Sequence, residues 1–91
     1  MNIVRDIVFL NALFKILSYI KKDKITPVKK FQKELNDKIK LLKTNPQMCK
    51  KSIYFDDDKY RDLTYKGYTI IYKVTQDKIL ILDIFKWQDK R

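Results

Sequence analysis

The chain has 91 residues, 45% of them apolar, and carries 21 Lys and Arg against 11 Asp and Glu, a formal charge of +10. One Cys excludes an intramolecular disulfide and a Cys-only zinc site, and the absence of His excludes the usual catalytic triads and His-bound metals. One Gly and two Pro exclude collagen-like and low-complexity chains, so one domain over residues 1–91 with a modest core is expected. Excess positive charge repels itself and points to a polyanionic partner. It is uneven: the stretch from Lys21 to Lys51 holds eleven lysines against three carboxylates.

Met1 to Arg5 is a candidate first strand, with β-branched Ile3 and Val4. Asp6 is placed to cap a helix in which Phe9, Leu10, Leu13, Phe14, Ile16, Leu17 and Ile20 form a broad apolar stripe, expected to be buried. Asn11, Lys15 and Ser18 interrupt the run from Ile7 to Ile20, which is shorter than the ~20 residues that span a bilayer. No membrane segment and a cytoplasmic setting are therefore expected. Thr26-Pro27 marks a second helix start, with Pro at its first position. Val28, Phe31, Leu35, Ile39 and Leu42 make its apolar stripe, and Asn45-Pro46 closes it. Lys29, Lys33 and Lys40 lie off that stripe and are candidates for gripping nucleic-acid phosphates.

Gln47 to Lys51 reads as a loop, and Arg61 to Tyr65 as a strand that turns at Gly67. Tyr68 to Thr75 alternates, with Tyr68, Ile70, Tyr72 and Val74 on one face. After a turn at Gln76-Asp77, Lys78 to Lys86 forms an interior strand, with Leu80, Leu82 and Ile84 sharing a face. The order β-α-α-β-β-β is an α+β layout: an antiparallel helical hairpin on a mostly antiparallel, curled sheet.

Phe31 to Pro46 (FQKELNDKIKLLKTNP), Tyr60 to Val74 (YRDLTYKGYTIIYKV) and Ile79 to Gln88 (ILILDIFKWQ), in that order, resemble the RelE/ParE superfamily of toxins from bacterial type II toxin–antitoxin modules. The resemblance implies a small antitoxin as partner. It implies one of two targets: mRNA on the ribosome, cut as RelE-like members do, or DNA gyrase, inhibited without cleavage as ParE-like members do. The charge tips the expectation to the first, a ribosome-dependent mRNA endonuclease. Gyrase inhibition, favoured by the missing His, is the alternative, together with an inactive basic nucleic-acid-binding relative.

Metal-independent RNA cleavage needs a base, a group that holds the phosphorane charge and an acid. The resemblance assigns Arg61 to the scissile phosphate and places Lys50 and Lys51 roughly where RelE-like toxins keep catalytic lysines. At the C-terminal strand end, where such members place His or Arg, the sequence departs from the pattern, and Lys86 is the candidate to replace that charge. Trp87 is a candidate for stacking on a base, and Arg91 for supplying charge. Each has a plainer alternative: Arg61 paired with Asp62, Lys50 and Lys51 solvated in a loop, Trp87 at a sheet edge. No cofactor or metal is expected, since Asp56, Asp57 and Asp58 splay in an extended chain.

Overall fold

The computed structural model describes residues 1–23 and 27–86. In chain order the elements are β1 (Asn2–Arg5), α1 (Ile7–Asp23), α2 (Val28–Leu41), β2 (Lys50–Lys51), β3 (Tyr60–Tyr65), β4 (Tyr68–Val74) and β5 (Lys78–Lys86). The strands form one sheet in the order β1-β5-β4-β3-β2, with β1 parallel to β5 and every other pair antiparallel. The α+β architecture is thus as expected, and β5 is an interior strand. The sheet gains one element: Lys50 and Lys51, read from the sequence as loop, pair with Asp62 and Arg61 as the short edge strand β2.

Local chemistry accounts for the element ends. Asp6 caps α1, its Oδ1 accepting from the Val8 N–H at 2.8 Å. Pro27 stands one position earlier than expected, as the N-cap of α2 (φ −64°, ψ 120°) with no side-chain cap bond, and Thr26 lies outside the described residues. α2 also ends before Asn45-Pro46. Leu42, Lys43 and Thr44 donate to the carbonyls of Ile39, Lys40 and Leu41, tightening the last turn. The turn between β3 and β4 places Lys66 and Gly67 both at positive φ, 48° and 84°, which matches the twist of an antiparallel ribbon.

The core lies between the helices and one face of the sheet. Phe9, Leu13 and Ile20 of α1 and Phe31, Leu35 and Ile39 of α2 meet Leu63, Ile70, Tyr72, Ile79, Ile81 and Ile84. Two expectations need correction. In β5, Leu80, Leu82 and Ile84 do not share one face: Ile84 joins Ile79 and Ile81 in the core on the helix side. Ile71 pairs with Asp83 and Tyr72 with Ile81, so Leu82 is an extra, bulged residue, and the side-chain alternation changes phase there. In α1, Leu10 (42% exposed) and Phe14 (71%) are outside the core. The apolar stripe is wider than the surface available: β5 covers the Phe9–Leu13–Ile20 side, and Ile7, Leu10 and Phe14, at steps of three and four, face outward.

Among the described residues, the far face of the sheet carries no helix. Residues 52–59 fold back over it instead, with the Tyr54 ring edge-on to Phe85 (5.2 Å between centroids) and Phe55 stacked on Tyr60 (4.1 Å).

Candidate functional site

Arg61 is held by the fold at one end of the sheet. It alternates in phase with Leu63 and Tyr65 and so shares the helix side of β3. There its Nη1 donates to the Cys49 carbonyl at 2.7 Å. The neighbouring Tyr72 hydroxyl donates to the Pro46 carbonyl at 3.0 Å. Both side chains therefore tie the segment after α2 to the sheet. Burial pushes the Tyr72 phenol well above its ordinary pKa, and the adjoining Cys49 thiol adds to the shift, while the Arg61 guanidinium opposes it. Asp62 points to the opposite face, where its Oδ2 accepts from the Ile53 N–H at 3.1 Å and its Oδ1 is buried with no partner among the described residues. Arg61 and Asp62, adjacent in sequence, are thus separated by the sheet.

The lysines assigned with Arg61 go to different places. Lys51 stands beside Arg61 in register, and its ammonium pairs with Asp58 at 3.0 Å. Lys50 is opposite Asp62, at the rim of a far-face hollow of about 430 Å³ that Tyr54, Thr64 and Thr69 also line. Lys86 lies at the other end of the sheet, its ammonium 5.5 Å from the Tyr19 ring centre and 5.9 Å from that of Tyr68. Tyr68, which pairs with Lys86, is four residues along β4 from Tyr72, which pairs with Arg61. That is about 13 Å of strand at 3.3 Å per residue. Trp87 and Arg91 lie outside the described residues. Asp57 and Asp58 are engaged locally, Asp57 accepting from the Lys59 N–H.

Lys29, Lys33 and Lys40 do come together, on the outward face of α2, along a shallow groove. Lys33 pairs with Asp37 at 2.9 Å, which raises the lysine pKa and lowers that of the carboxyl. A second group, at the turn end of the sheet, escaped the sequence reading. The Tyr65 hydroxyl donates to Glu34 Oε1 at 2.5 Å, and Lys66 lies 3.5 Å from the same oxygen. Burial and that carboxylate push the Tyr65 phenol up to about 12, while the hydrogen bond holds Glu34 below its usual range. The hydrogen bond spans 31 residues. Its only sequence signal is that Glu34 borders the α2 apolar stripe.

The arrangement defines a small α+β protein with an exposed apolar face on α1 and a basic face on α2. Residues 8–90 match the family described as the ParE toxin of the type II toxin–antitoxin system parDE, and the chain belongs to that family. It is therefore a toxin of the type II toxin–antitoxin kind, and a cognate antitoxin is its partner. No curated protein matches the chain. No helix among the described residues is long and apolar enough to cross a membrane.

Proposed function

We propose that this toxin acts by binding DNA gyrase and blocking it stoichiometrically, without cutting RNA. The observation that carries this reading is the engagement of Arg61. A phosphate-holding guanidinium must present its donor fork to an incoming anion. Here one arm of the fork is committed to the Cys49 carbonyl, and Lys86 lies far along the sheet. The family match and the exposed Ile7, Leu10 and Phe14 favour protein partners as well.

The alternative, mRNA cleavage on the ribosome, has one feature in its favour: Lys51 and Arg61 are side by side on adjacent strands. A supercoiling assay with purified gyrase, run beside a translating extract in which mRNA 5′ ends are mapped, separates the two. Inhibited supercoiling with uncut message supports the proposal. Codon-phased cuts with unaffected gyrase would refute it.

A further inference from the structure

The outward face of α2 carries a basic stripe that the gyrase reading does not use. Lys29, Lys33 and Lys40 lie within about 40° of one another around the helix and extend over about 16 Å of its axis. This sector is turned away from the buried Phe31, Leu35 and Ile39. Along the axis between Lys29 and Lys40, and to one side of that sector, lie two carboxamides, Gln32 and Asn36, lining the same shallow groove of about 400 Å³. The one carboxylate in the stripe, Asp37, is paired with Lys33.

We infer that this face of α2 seats in the major groove of B-form duplex DNA, with the lysines on phosphates and Asn36 and Gln32 against base edges. The chemistry fits on three counts. An α-helix 10–12 Å across enters a groove about 12 Å wide. Ammonium groups at both ends of the stripe neutralise backbone phosphates, which supplies affinity. Carboxamides between them match the donor–acceptor pair that adenine displays in that groove. The deep, narrow major groove of duplex RNA does not admit the helix, so the same stripe discriminates against it. Asp37 acts in the opposite sense, opposing a phosphate placed near Lys33. DNA binding of this kind goes beyond gyrase inhibition and does not depend on that enzyme.

Fluorescence anisotropy on the full chain tests it, with labelled A·T-rich and G·C-rich DNA duplexes, the RNA duplex of the A·T-rich sequence, and a series of salt concentrations. The DNA is expected to bind at least tenfold tighter than the RNA. Lys29→Gln, Lys33→Gln and Lys40→Gln together should flatten the plot of log K against log salt by about 0.9 for each phosphate no longer neutralised. Asp37→Asn should tighten binding several-fold, and Asn36→Ala should remove the preference for A·T sites. These side chains are outside the core, and circular dichroism checks that each variant is folded. A folded triple variant with the parent's salt slope, equal affinity for the RNA duplex, or no binding to DNA overturns the inference.

Discussion

Replacing Arg61 by Ala separates a structural guanidinium from a catalytic one. The side chain is half-buried and makes a charged hydrogen bond of 2.7 Å to the Cys49 carbonyl. Such bonds contribute about 1.5–3 kcal/mol net, and the stem of a partly buried Arg adds packing. A loss of about 2 kcal/mol is therefore expected. In a domain of this size each kcal/mol moves the melting temperature by roughly 4–8 °C, so the variant should melt about 8–16 °C below the parent. Tyr72→Phe removes the companion tether to Pro46 and should cost about 1 kcal/mol. Both tethers hold the same segment, so the double variant should show a coupling of at least about 0.5 kcal/mol. Thermal melts by circular dichroism give all three values, and expression at a temperature well below the variant's melting point gives its toxicity. Folded Arg61→Ala should still arrest growth. An unchanged melting temperature with toxicity abolished would contradict the reasoning and return Arg61 to a phosphate.

Three further outcomes follow from the geometry. Gly67→Ala should cost about 1–2 kcal/mol in urea unfolding, because an L-residue is disfavoured at φ 84°; beyond its two chain neighbours, no atom of the described residues lies within 4 Å of the added methyl to cause a clash. Phe14→Ser should change stability by less than about 0.5 kcal/mol, since the ring is 71% exposed. It should nevertheless weaken antitoxin binding at least tenfold by calorimetry, if the partner buries that ring, which is worth about 1.5–3 kcal/mol. Tyr65 holds its proton up to about pH 12 in the folded chain, against 10 for an ordinary phenol. Its contribution is therefore complete below pH 10 and is lost as pH rises toward 12. Urea unfolding across that range should show a shallower alkaline decline for Tyr65→Phe than for the parent.

Element types and order were legible because their signals are local. The period of Phe31, Leu35 and Ile39 is helical, Tyr68 to Val74 alternates, and Gly67 stands where the chain must reverse. The bulge at Leu82 was not legible, since Ile79 to Leu82 are all apolar and a one-residue change of phase at their end leaves no trace in composition. Nor was the exposure of Phe14, which depends on how much of α1 the sheet can cover. For the site, the α2 lysines were readable from helical spacing alone. Arg61 was identifiable as a residue of interest, but its partner was not. The Cys49 carbonyl comes from a segment whose path is fixed only by tertiary packing. The Tyr65–Glu34 hydrogen bond likewise joins two elements whose docking no local pattern encodes.

The most direct test of the central claim is a titration of the toxin against several fixed concentrations of gyrase, with supercoiling as the readout. The account predicts an end point at a constant ratio of toxin to gyrase, with message in a parallel translating extract left whole. Full supercoiling activity at a large excess of toxin, together with message cut by a small fraction of that amount, would contradict it.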